Sequence, residues 1–252
     1  MDISRIILSG LALTLGILTS VYFVVCWWRD PSKPHARALL FWAFSLFLMY
    51  WFQIPAILFS IRKVIVVSDF NLFFALTFPI TFLAFIFIYL GILQIFEIQT
   101  ERGKNFFTWS WFIFAIFFFT YHFIARKGVI ETYSLPIVGN LLFYVPIRML
   151  IIFITVRWFI KLKSRNIYSI LGTGGIVMES ALGLLRNFFV IKNTLIYPPQ
   201  LWYFVIGSSR FFFITQTISI VLLVIGFYFL HLYYHRLRTA IHFSKETKER
   251  PQ

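Results

Sequence analysis

Charged side chains are scarce in this sequence. Asp, Glu, Lys and Arg make up 13% of its 252 residues, against roughly a quarter in soluble domains, which excludes an ordinary water-facing globule. Acidic residues are scarcer still, nine in all, and the three aspartates, Asp2, Asp30 and Asp69, lie near or outside the ends of the apolar runs. A metal-dependent intramembrane hydrolase needs several His and Asp ligands at depth, and this distribution does not supply them. The single cysteine, Cys26, excludes an intrachain disulfide and any multi-cysteine metal site. There is no G-x-S-x-G, no H-E-x-x-H and no phosphate-cradling P-loop. The last apolar run holds no lysine for a retinal Schiff base. No catalytic motif and no cofactor is therefore implied.

What is abundant is apolar surface: 60% of residues are hydrophobic, 21% are aromatic, and the mean hydropathy is +0.84. Uninterrupted runs reach the ~18 residues or more that mark a membrane-spanning helix. They cover Ile6–Trp28, Ala38–Ile61, Asn71–Phe96, Phe106–Ala125, Pro136–Ile160, Ile167–Ile191 and Leu201–Tyr234. The first exceeds the ~7–15 apolar residues of a signal peptide and no small-residue cleavage site follows, so it is expected to be retained. The expected fold is all-α, a polytopic seven-transmembrane-helix bundle over residues 1–235, followed by a short basic cytoplasmic tail, 236–252.

Basic residues set the orientation, because cytoplasmic connections keep the excess. Fourteen Lys and Arg fall on the face that holds the C-terminus, six on the other, and three, Arg148, Arg186 and Arg210, lie within the runs. The N-terminus is expected outside and the C-terminus in the cytoplasm, in a prokaryotic plasma (inner) membrane. The net charge of +14 sits mostly in short connections, so it reports topology and attraction to anionic lipid rather than nucleic-acid binding.

The stretch "GIVMESALGLLRNFF", Gly175 to Phe189, breaks the apolar pattern with Glu179 and Arg186. At 100° per residue, positions seven apart fall within about 20° of each other, on a stripe that also holds Gly172, Gly175 and Gly183. Small residues let a neighbouring helix approach closely, and charges at depth face the bundle interior or a watery cavity. Rise per residue puts Arg148 and Glu179 both roughly 18 Å into their helices, and Arg210 roughly 14 Å into the last. One carboxylate does not neutralise three guanidiniums. Arg186, nearer the outer end, can snorkel outward. A packing salt bridge from Glu179 to Arg148 or Arg210 leaves a surplus cation, which points to an anionic ligand in an outward-facing cavity lined by Arg148, Glu179, Arg186, Arg210 and Gln216. Gln53, Gln94, Asn140 and His122 are further candidates for that cavity or for interhelical bonds. His231 and His235 are spaced for a shared metal or haem, but with tyrosines between them and no acidic or cysteine ligand nearby they read as interfacial anchors.

The stretch "WWRDPSKPHARALLFWAFSLFLMYW", Trp27 to Trp51, with its basic connection, small-residue helix entry and later tryptophan, resembles the start of the seven-helix sensor modules of bacterial histidine kinases and related signalling proteins. That resemblance implies a receptor-like bundle in which ligand enters from outside and the last helix passes a displacement inward. Proteins of that family continue into a coiled coil and a catalytic domain, so a cytoplasmic or membrane protein partner is expected to supply the output here. Pro199–Gln200 in "YPPQLWYF" is similar to the signature of PQ-loop carriers. Two alternatives stand beside the sensor: a secondary transporter of a small anionic solute, in which a ligand crosses, and a structural or assembly subunit, in which another protein occupies an apolar seam.

Overall fold

The computed structural model describes residues 3–31, 35–50, 67–96, 102–125, 134–162, 165–196 and 210–248. Among these the chain is helical throughout, without a strand, as a backbone in hydrocarbon must be when it has no water to satisfy its N–H and C=O groups. The helices are α1 (Ile3–Arg29), α2 (Ala36–Tyr50), α3 (Val67–Ile95), α4 (Arg102–Ala125), α5, α6 (Ile167–Ile196) and α7 (Arg210–Lys248). The fifth, α5, runs through Ser134–Gly139, a wide π-helical turn at Asn140–Tyr144, and Val145–Lys161. Five segments are long and apolar enough to cross a membrane: Ile6–Arg29, Phe78–Ile95, Pro136–Lys161, Ile167–Ile196 and Ile214–Arg236. Ala36–Met49 and Phe106–His122 are shorter apolar helices. The expected second run continues to Ile61, but residues 51–61, with Gln53 and Pro55, lie outside the described residues, as does Pro199–Gln200.

Local chemistry fixes several of these ends. Asn166 and Ser169 cap α6 reciprocally: the Ser169 N–H donates to Asn166 Oδ1 at 2.9 Å and the Asn166 N–H donates to Ser169 Oγ at 3.1 Å. Leu162 turns to an extended conformation and stops α5. Inside α5, Pro146 has no N–H to offer the carbonyl one turn back, and its ring crowds that carbonyl. The backbone widens into the π turn just upstream. Hydroxyls are absorbed within their own helices, Thr19, Thr173 and Thr194 each donating to the carbonyl four residues earlier. The basic segment from Arg236 continues α7 to Lys248, and the Arg236 guanidinium lies over the Tyr168 ring at 4.5 Å, tying this end of α7 to the start of α6.

The principal contacts close a ring in the order α1, α2, α3, α5, α6, α7 and back to α1, with α4 packed outside on α3. The tightest seam joins α6 to α7. A Cβ added at Gly175 would stand 2.6 Å from the Leu222 carbonyl oxygen and 2.9 Å from Gly226 Cα, so only glycine lets these two backbones meet. Aromatics fill the interior, with Trp42, Phe23, Phe82, Phe85, Phe119, Phe143 and Phe227 fully buried. The outward surface is apolar as well: Leu11, Leu18, Phe106, Phe117, Phe153 and Ile160 are all exposed, which water would penalise and lipid does not.

Candidate functional site

Two residues beyond Pro146, the π-widened α5 delivers Arg148 into the seam with α6. Its side chain is 4% exposed and its Nη1 donates to Glu179 Oε1 at 3.0 Å. Below it lies Gly183, one turn past Glu179, and a Cβ there would land on the guanidinium. From the other side the guanidinium faces the Phe85 ring of α3 at 4.1 Å, a contact that strengthens when the cation is desolvated. Helices α3, α5 and α6 therefore all shape the seat of one cation.

Glu179 is shared. Arg186, two turns further along α6, brings its Nη2 to 3.8 Å from the same Oε1, while Ser180 Oγ donates to Oε2 at 3.2 Å. None of the three ions has access to solvent worth counting: Arg148 is 3%, Glu179 0% and Arg186 7% exposed. Arginine stays protonated in proteins, so with Glu179 ionised the cluster holds one positive charge more than it balances. Arg148 Nε and, on the residue after Arg186, Asn187 Nδ2 are buried without a hydrogen bond. Such groups cost free energy when left unmet, and all of them ask for an acceptor. The chemistry of the site is that of a buried, cationic, donor-rich cluster organised by a single carboxylate.

The structure thus joins Arg148, Glu179 and Arg186. Arg186 turns in toward Glu179, a carboxylate on its own stripe and within reach. Gln216 is half-buried on α7 and makes no hydrogen bond to the cluster. Arg210 opens α7, and its side chain lies outside the described residues. Two other candidates bond within their own helices: Asn140 Nδ2 donates to the Pro136 carbonyl, and His122 Nδ1 is 2.9 Å from the Phe118 carbonyl. Phe85, Ser180, Asn187 and the supporting role of Gly183 are not evident from sequence; only Gly183 carries a signal, its place on the Glu179 stripe.

At the other end of the bundle, the His231–His235 pair gains a third imidazole. His35, just before α2, lies 6.0 Å from His231, ring centroid to centroid, and His235 lies 6.3 Å from His231. Tyr22 and Phe23 also meet the His231 ring, so the pair belongs to an aromatic network. Among the described residues no three His, Cys, Asp or Glu side chains gather closely enough to hold a metal ion. No protein-family model, no curated protein and no solved structure matches this chain.

Proposed function

We propose that the chain is a receptor-like seven-helix membrane protein, N-terminus outside and C-terminus in the cytoplasm, whose α5–α6 cluster recognises an anionic small molecule. One observation carries the reading: Arg148 and Arg186 both address a single oxygen of Glu179 at sites no more than 7% exposed. A packing clamp needs one cation. A second buried guanidinium is costly in a membrane unless something negative meets it, and an anion accepting from Arg186, Arg148 Nε and Asn187 meets all three demands. The architecture supports a route for signal output. The helix that holds Glu179 and Arg186 is locked to α7 through Gly175 and Gly226, and α7 runs on to Lys248, where a protein partner would read its displacement.

A carrier shares this site. The observation that favours it is the π turn and Pro146 directly before Arg148, since interrupted helices beside a mid-membrane site are the usual machinery of alternating access.

The test is thermal unfolding of the purified protein against a panel of anionic metabolites and lipid headgroups, in wild type and Arg186→Gln. A ligand that binds only the folded state stabilises it by about 2.7 kcal/mol at a hundredfold excess over Kd. The expected result is an anion that raises the wild-type Tm and leaves Arg186→Gln unmoved, while Arg186→Gln without ligand is as stable as wild type or more so, having shed the surplus charge. The stabilising anion is then offered to sealed proteoliposomes: binding without uptake supports the receptor, uptake the carrier. If nothing stabilises wild type and Arg186→Gln is less stable, Arg186 is part of a packing clamp and the anion site is wrong.

A further inference from the structure

The lipid-facing side of the same α5–α6 seam holds a groove of about 570 Å³, whose lining includes Met149, Phe153, Val156 and Leu184 and which also takes in Arg157 and Lys161. Met149, Phe153, Arg157 and Lys161 form an i, i+4 row, so the helix itself dictates that apolar side chains lead into cations along one stripe. Arg157 and Lys161 are both exposed, and no carboxylate pairs with either among the described residues. The stripe has a length with meaning. From Met149 to Lys161 is roughly 18 Å along the helix, slightly more than half of the ~30 Å hydrocarbon core. Its apolar end adjoins Arg148 at mid-depth and its cationic end is the last turn of α5. Those are the dimensions and the polarity of one lipid in one leaflet.

We propose that this groove is a binding site for one anionic phospholipid of the leaflet on the Lys161 side, with an acyl chain against Met149, Phe153 and Val156 and the phosphate on Arg157 and Lys161. The site is independent of the anion reading of the Arg148 cluster. Charge complementarity selects an anionic headgroup over a zwitterionic one, and the groove adds what a bare basic surface lacks, a fitted bed for the chain. A second groove, of about 580 Å³ between α6 and α7, supplies the internal control: its lining is also apolar, including Leu185, Phe188 and Phe211, but among the described residues it has a single cation, Lys192.

The full chain is reconstituted in nanodiscs of phosphatidylcholine with a minority of phosphatidylglycerol, then released into mild detergent and weighed with its retained lipids by native mass spectrometry. Wild type is expected to keep one phosphatidylglycerol, enriched about thirtyfold over its share in the disc, the scale for two cations beside an anionic headgroup. The Arg157→Gln/Lys161→Gln double variant loses that enrichment. Leu184→Trp, which fills the groove and leaves both cations in place, loses it too, whereas Lys192→Gln keeps it. Enrichment that survives the double variant or Leu184→Trp overturns the site. So does its loss in Lys192→Gln, which would make the attraction a diffuse property of surface charge, and so does equal retention of phosphatidylcholine by wild type.

Discussion

Where α1, α2 and α7 meet, Trp42 lies flat on Phe227 at 4.3 Å with Phe23 tilted against both rings; where α5 meets α6, the central contact is an arginine on a glutamate at 3.0 Å. The two seams answer the same difficulty in opposite ways. Lipid tails are as apolar as leucine, so burying apolar surface between helices gains little over leaving it in the bilayer. The aromatic seam holds by fit and ring stacking, and its strength should fall off gradually as fit is lost. The ionic seam is directional and conditional: complete, it is tolerated; with one partner removed, it leaves a bare charge. A membrane protein that needed only rigidity would build the first kind twice. The second kind concentrates charge where the first holds none.

The largest effect expected from breaking this contrast is Glu179→Gln. It leaves the volume unchanged, removes the only carboxylate in the cluster, and abandons both guanidiniums to a buried site. Breaking a buried pair in this way costs on the order of 3–5 kcal/mol, and two cations now repel at close range. Unfolding in mixed micelles should show that loss. Unchanged stability would mean that Arg148 and Arg186 reach other acceptors and that Glu179 does not organise the site.

Trp42→Ala is the matching cut in the aromatic seam, and truncating a buried aromatic costs about 3 kcal/mol in a well-packed core. Its diagnostic value lies in what it should spare. Trp42 packs on Phe227 and Phe23 rather than on the cluster, so any anion that stabilises wild type should stabilise Trp42→Ala by the same increment. An altered increment would show that the aromatic seam is part of the binding equilibrium, and the two regions would no longer be separate.

How far this contrast can be read from sequence depends on the residue. The helical class follows from the apolar runs, and the start of α6 at Ile167 is legible because Asn166 and Ser169 supply the cap. Arg148 and Glu179 are legible as a pair because rise per residue sets both at similar depth on helices joined by a short link. Arg186 is legible as a neighbour on the Glu179 stripe but not as its ion-pair partner, since depth also allows snorkelling and only the packed structure shows Glu179 within 3.8 Å. Phe85 is one phenylalanine among 34, and nothing in its neighbours signals that a guanidinium will rest on it. Pro146 announces a disturbance of α5 but not its form, because whether the helix kinks or widens depends on what packs beside it. Gln216 is polar and well placed along the chain, yet it turns out half-buried and unconnected to the cluster. Sequence shows which groups are costly; the side chains that absorb the cost are chosen in three dimensions.

The smallest effect sharpens the comparison most. Ser20 of α1 donates its hydroxyl to the Ala43 carbonyl of α2 at 2.8 Å, a neutral bond inside the aromatic half. Interhelical hydrogen bonds in membranes average only about 0.6 kcal/mol, since the separated helices find other partners, and an Ala43 carbonyl within a helix keeps its backbone donor in any case. Ser20→Ala should therefore lower stability by about that amount in the same micelle titration that reads Glu179→Gln. The ratio of the two losses, several to one, then measures the difference between a polar contact that has a neutral fallback and one that does not. A Ser20→Ala loss as large as that of Glu179→Gln would show that burial depth, rather than charge, sets the cost of an unmet polar group in this bundle, and the distinction between the two seams would fail.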